Sequence, residues 1–318
     1  MSLQLWSFGG GQVLNLRDEP DWRERSRDRI VVATSEGRAT LAWNSWMPAS
    51  VWCAVRGRMR TAGRDLLADC GADDVLVAEH GTRVTVQPAG AGEATLVGVL
   101  LPAEHIQDVA RRELGRSLDE PLLLPMLVRH DAALKLRLLN LAHVALRRPG
   151  GELPTERLAQ ELVAHLVRRQ AGYDAYVERC PGRSARYRRQ VFSRLLRARN
   201  YIETTTAANS PLGRLAQVAK LSPTHFLRLY RDVFGQTPHK HVIETRLDAA
   251  REMLMTTVLG VSDICRSLGF ENRCAFARVF KQYFGVAPSA MRQHTAAAGA
   301  HASRARPDDA FAIVATNR

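Results

Sequence analysis

A short stretch of this chain occurs twice, fifty positions apart, and nothing else in the sequence constrains its fold as tightly. The first copy opens at Ser222 and carries Phe226, Arg228, Tyr230, Arg231, Phe234, Gly235 and Pro238. The second opens at Asn272 and carries Phe276, Arg278, Phe280, Lys281, Phe284, Gly285 and Pro288. A polar cap, an apolar stripe at i, i+4 and i+8, and a closing Gly before Pro describe a short amphipathic helix. A shorter apolar run precedes each copy. Before the first, from Ser210-Pro211, it is Leu212, Leu215, Ala216 and Ala219; before the second it spans Val261 to Leu268, with Ile264 and Cys265 in the places of Leu215 and Ala216. There the offset is 49, so the second turn is expected to hold one extra residue, near Gly269. Insertions fall in turns when a helix-turn-helix is duplicated.

Helical periodicity divides each repeated helix into two faces. In the first, Phe226, Leu229, Tyr230 and Val233 point inward, leaving Thr224, His225, Leu227, Arg228 and Arg231 outside. In the second, Phe276, Val279, Phe280 and Tyr283 point inward, leaving Arg273, Cys274, Ala277, Arg278 and Lys281 outside. These outward residues, with the caps Ser222 and Asn272, are the candidate contacts to double-stranded DNA. Arg donates two hydrogen bonds to guanine in the major groove, and Thr, Ala and Leu meet thymine methyls. Arg231 and Lys281, further from the helix start, are expected on phosphates. A helix from Pro238 to Thr256, with Val242, Ile243, Leu247, Ala250, Met253 and Leu254 as its apolar face, joins the units. It would span about 27 Å, close to the ~34 Å between successive major-groove faces of a duplex.

Charge follows the repeat. Between 181 and 293 there are 19 Lys and Arg against 7 Asp and Glu, whereas 1–180 holds 23 of each, so nearly all of the net +13 lies on the repeat-bearing third. A basic domain fused to a neutral one points to a polyanion partner for the basic part alone.

The preceding half reads differently. Residues up to about Asp28 read as a polar, partly ordered arm. Short β-type runs follow at 30–34, 40–43, 51–55, 74–78, 82–86 and 95–100, separated by turn signals at Glu36-Gly37, Arg56-Gly57-Arg58, His80-Gly81 and Gly90-Ala91-Gly92. Such a succession without helices reads as an antiparallel barrel or sandwich. Helices are expected over 103–114, 131–148 and 155–170. Leu134, Leu138, Leu141 and Ala145 stripe the second of these, and Leu158, Leu162, Leu166 and Gln170 the third; the stripes either pack on the strands or pair in a homodimer. Residues 172–186, with Cys180-Pro181-Gly182-Arg183-Ser184, read as a linker. A basic helix follows over 188–204, with Phe192, Leu195, Leu196 and Ile202 inward, and the Ala/Gly/Arg-rich 294–318 reads as a disordered tail.

Over about 211–292 these residues closely resemble the AraC/XylS family of bacterial transcription factors. The most specific part is Ile264-Cys265-Arg266-Ser267-Leu268-Gly269-Phe270-Glu271-Asn272, followed by Phe276, Arg278, Phe280-Lys281 and Phe284-Gly285-Val286-Ala287-Pro288, and Arg246 to Leu254 looks like the family's linking helix. Cys265, Cys274, Ala275 and Tyr230 depart from the residues usual there. The resemblance implies two helix-turn-helix units, promoter binding and contact with RNA polymerase. It implies an α+β chain: a cupin-like antiparallel barrel plus helices for sensing and dimerisation over 1–171, a linker at 172–186, and an all-α DNA-binding domain over 187–293. A small-molecule effector then fits the barrel, where Trp43, Trp52 and Arg56, with Trp46 and Arg58, are candidates beside their plainer role as core aromatics and surface charges.

Other chemistries find no residues. His80, His105, His130 and His143 lack metal-ligand spacing, so no metal or cofactor is expected, and neither is a cupin-type oxygenase. The scattered Cys53, Cys70, Cys180, Cys265 and Cys274 form no zinc cluster for an alkyl-accepting repair enzyme and suit a reducing cytoplasm. No apolar run is long enough for a membrane span, and Met1 to Trp6 lacks the pattern of a secretion signal.

Overall fold

The computed structural model describes residues 3–8, 13–15, 30–35, 40–43, 48–62, 68–71, 73–81, 84–89, 93–129, 131–147, 152–204 and 211–293. Trp46, His130, Ser210, the turns at 36–37 and 90–92, and the expected tail lie outside the described residues, as does the side chain of Trp43.

The N-terminal half is built of β1 (Leu3–Phe8), β2 (Val13–Asn15), β3 (Ile30–Ser35), β4 (Thr40–Trp43), β5 (Ala49–Arg56), β6 (Met59–Ala62), β7 (Ala68–Cys70), β8 (Val75–Ala78), β9 (Val84–Pro88), β10 (Thr95–Leu101) and β11 (Met126–Val128). They form a six-stranded sheet, ordered β1-β3-β10-β5-β8-β11, and a five-stranded sheet, ordered β2-β4-β9-β6-β7. Most pairs are antiparallel, but β1 runs parallel to β3 and β2 parallel to β4. The α+β class stands. The expected closed barrel does not: both sheets are open among the described residues, and β1 and β2 come from the segment read as an arm.

One core lies between the sheets, with Val31, Trp52, Leu76, Leu96 and Leu100 from the larger and Met59, Cys70 and Val86 from the smaller. The run Val51–Ala54 is wholly buried because β5 is an interior strand with cover on both faces. Trp52 sits opposite Gly98 across the β5/β10 ladder. A Cβ at Gly98 would come within 2.2 Å of the indole, so glycine is what lets the ring lie on the neighbouring strand. The indole Nε1 donates to Ser50 Oγ at 2.9 Å.

Of the helices α1 (Ala103–Leu114), α2 (Ala132–Arg147) and α3 (Glu152–Ala171), α2 lies on the larger sheet over β10, β5 and β1, α3 packs on α2 and touches β1, and α1 packs on α3. Leu134, Leu138, Leu141, Ala145, Leu162 and Leu166 are buried within this one chain and Leu158 is half-buried, so most of both leucine stripes is already covered. Within the stretch read as a linker stand α4 (Asp174–Glu178) and the first residues of α5 (Ala185–Thr204). Tyr173 and Tyr176 place their rings 5.5 and 6.2 Å from Phe192 of α5.

The remaining helices are α6 (Leu212–Val218), α7 (Pro223–Phe234), α8 (Pro238–Thr256), α9 (Val261–Ser267) and α10 (Arg273–Phe284), with a further helical turn over 288–293. The chain divides into two compact units: Met1–Thr205 with Pro211–Pro238, and Thr206–Ser210 with His239–Arg318. Helices α6 and α7 therefore belong with the larger unit, while α9 and α10 pack on α8 in the smaller.

Candidate nucleic-acid interface

Each pair of short helices is a helix-turn-helix closed by the same backbone bonds. In the first, Lys220 N–H donates to Gln217 O at 3.0 Å and Leu221 N–H to Ala216 O at 2.9 Å, with Lys220 in the left-handed region at φ 54°. In the second, Gly269 N–H donates to Arg266 O and Phe270 N–H to Cys265 O, both at 3.0 Å, and Gly269 has φ 72°. These bonds superpose at an offset of 49, and the recognition helices α7 and α10 at 50. The extra residue is thus Glu271, between Phe270 and Asn272.

The two recognition helices end alike and begin differently. Gly235 and Gly285, at φ 74° and 77°, close them with N–H bonds of 2.8 Å to Arg231 O and Lys281 O. Asn272 Oδ1 caps α10 by accepting from Cys274 N–H at 2.8 Å and Ala275 N–H at 3.2 Å. The expected hydroxyl cap at Ser222 is not made; Pro223 at the first helical position starts the helix with its fixed φ and has no N–H there to leave unpaired.

Burial follows the periodicity with one exception. Phe226, Leu229, Tyr230 and Val233 are buried in the first unit, and Phe276 and Phe280 in the second, against Leu247, Leu254, Ile264 and Leu268. Val279 is half-buried. Tyr283, expected inside, is 44% exposed. Its counterpart Val233 is covered because α4 and α5 pack on α7, where Arg179 donates to Val233 O at 3.2 Å. Among the described residues of the smaller unit no helix takes the places of α4 and α5.

The outward sets emerge as the spacing predicts. Ser222, Thr224, Leu227, Arg228 and Arg231 are exposed on α7 and its cap, with His225 half-buried. Asn272, Arg273, Cys274, Arg278 and Lys281 are exposed on α10 and its cap, with Ala277 half-buried. Arg228 and Arg278 make no hydrogen bond or ion pair to protein among the described residues, whereas Arg231 lies 3.9 Å from Asp232. Two free guanidiniums at one step of two helices can each donate two bonds to a guanine edge.

The effector candidates are not brought together among the described residues. Trp52 is 2% exposed and committed to the core, and Arg56 is exposed at the end of β5. A cleft of about 810 Å³ lies elsewhere in the larger unit, lined among others by Ala49, Glu79, Ile106, Arg194, Arg197 and Lys220. Its walls come from segments far apart in sequence, so no local pattern marks it. At its edge Glu79 is buried and pairs with Arg197. Burial pushes the Cys53 and Cys180 thiols up to about 11 and about 12, leaving them unreactive, while Cys274 is exposed. Among the described residues no His, Cys, Asp and Glu group is placed to hold a metal ion, and no helix is long and apolar enough to cross a membrane.

Residues 215–294 match a family model described as a helix-turn-helix domain. Over this C-terminal region the chain is similar to helix-turn-helix domains of the AraC type. The chain is 29% identical over 90 residues to the probable transcriptional regulator LumQ of Photobacterium leiognathi, covering 28% of this chain and 36% of LumQ. It is 31% identical over 101 residues to the arabinose operon regulatory protein of Escherichia coli K12, covering 31% and 35%. Among solved structures, the C-terminal domain of AraT, a response regulator from Geobacillus stearothermophilus, aligns at 25% identity and a TM-score of 0.30, covering 32% of this chain and 84% of that domain. The chain spans about a third of the length of these curated relatives.

Proposed function

We propose that this chain is a sequence-specific DNA-binding transcriptional regulator, not an enzyme, that reads two adjacent major-groove segments of promoter DNA through α7 and α10. The observation that carries the reading is the repetition of one uncovered helix face, with Arg228 and Arg278 free at equivalent steps. The basic excess over 181–293 supplies the phosphate attraction. Residues 187–293 act as the DNA-binding domain, and 1–171 as the sensing and dimerising half. The cleft beside Glu79, rather than the interior near Trp52, is the space a small-molecule effector would occupy. Homodimerisation and contact with RNA polymerase in the cytoplasm follow from the family resemblance.

Selection of binding sites from random duplexes by the full chain, followed by footprinting, tests the reading. Enrichment of one sequence with protection in two major-groove segments about one helical turn apart is expected. Equal affinity for selected and random duplexes would overturn it.

A further inference from the structure

We propose that Glu79 is a positioning residue for DNA binding: its buried carboxylate fixes the rotation and register of α5, and through α5 the first helix-turn-helix unit. The inference rests on the DNA-binding reading above. Glu79 follows directly on β8 and is 4% exposed. Ser193 Oγ donates to its Oε2 at 2.6 Å, and the Arg197 guanidinium pairs with its Oε1. Both donors stand one turn apart on α5, more than a hundred residues from Glu79 in sequence. A buried carboxylate is costly unless its oxygens are satisfied by directed donors. Apolar faces tolerate sliding and rotation, but this pairing holds at a single setting of the helix.

Other side chains of α5 carry that setting onward. Phe192 lies 6.0 Å from Phe234 of α7, and Arg199 stacks 5.2 Å over the same ring. Arg214 of α6 lies 5.7 Å over Tyr201. The N-terminal part of α5 is clamped by Arg189, which donates to Pro121 O at 2.6 Å and Leu122 O at 3.0 Å. Asn200 Nδ2 donates to Pro125 O at 2.8 Å near its other end. The helix is thus one wall shared by the sheet and the first DNA-reading unit. Ser193 and Arg197 also line the cleft, so the device can be reached from solvent.

The test uses the full chain and a duplex it has itself selected. Glu79→Gln, close in shape but uncharged, should weaken binding about two- to thirtyfold. Protection should fade over the groove segment read by α7 and persist over that read by α10. Arg197→Gln should behave alike, and the double variant should lose no more than either single one. Thermal melting reports folding separately. If Glu79→Gln does not fold, Ser193→Ala, which removes one donor and keeps the ion pair, should show a smaller loss over the same segment. Wild-type affinity and footprint in the folded variants, or fading spread evenly over both segments, would overturn the proposal. Failure of the wild-type chain to select any duplex would instead count against the regulator reading.

Discussion

Arg228 and Arg278 illustrate how much a single residue's surroundings decide. Each extends from a helix whose other face is filled with aromatic rings, and neither is neutralised by a carboxylate among the described residues. Arg228→Ala and Arg278→Ala should each cost about 1–3 kcal/mol on a selected site and relax the base preference there, as measured by competition titration. Equal losses on random duplexes would mean that they meet phosphates instead. Trp52 shows the opposite case. Its indole is opposed by Gly98 and tied to Ser50, so Gly98→Ala should destabilise the larger unit by about 1–3 kcal/mol in a urea melt, since the ring must leave its place or the strands must part. Tryptophans and arginines near one another in sequence suggested a ligand site around Trp43, Trp52 and Arg56. The ladder register that sets Trp52 on Gly98 depends on strand pairing, which is not legible in either residue's own segment.

At the scale of elements, periodicity and punctuation located the paired helices well. The Gly that closes each recognition helix, the apolar stripe and the shift from 50 to 49 are local properties, and α6, α7, α9 and α10 follow from them. Cover is not local. Val233 and Tyr283 hold equivalent positions, yet only Val233 is buried, because α4 and α5 reach α7 alone. Residues 172–186 read as a linker; within them Tyr173 and Tyr176 pack on Phe192, and Tyr176 lies 5.9 Å from Phe234. A fragment of 181–293, expected from its sequence to fold and to bind DNA more weakly than the full chain, strips Phe192 of both rings and Phe234 of Tyr176. A fragment of 172–293 should therefore be more stable than one of 181–293 by about 1–3 kcal/mol, read from denaturant midpoints. Equal midpoints would show that these rings add nothing to the helices they touch.

For the whole molecule, the concentration of positive charge on 181–293 predicts steep salt dependence. With six or more phosphates neutralised, affinity should fall about a thousandfold between 50 and 200 mM salt, and a flat titration would separate the basic surface from DNA. Acid should weaken the larger unit. His105 is 4% exposed, and burial chiefly holds its pKa below the ordinary 6.5, although the Ala159 carbonyl partly opposes the shift. Below about pH 6.5 the unfolded chain therefore takes up a proton that the folded one resists. Stability should drop as pH falls through that window towards the lowered folded value, by at most about 1.4 kcal/mol per pH unit for this one proton. His105→Asn, which keeps an N–H for the Ala159 carbonyl, should flatten that part of the profile in urea melts across pH.

By itself the sequence determined the duplicated helix-turn-helix, the outward residues of its recognition helices, and the placement of the charge. These depend on neighbours three, four or seven residues away, where helical geometry alone sets direction. Only the tertiary structure decided that the described strands pair into two open sheets, that most of the leucine stripes is covered within the chain, and that the first helix-turn-helix belongs with the larger unit. It also brought Glu79 to Ser193 and Arg197. Such pairings join segments more than a hundred residues apart, where the partner that satisfies a buried charge is chosen by packing and not by spacing along the chain.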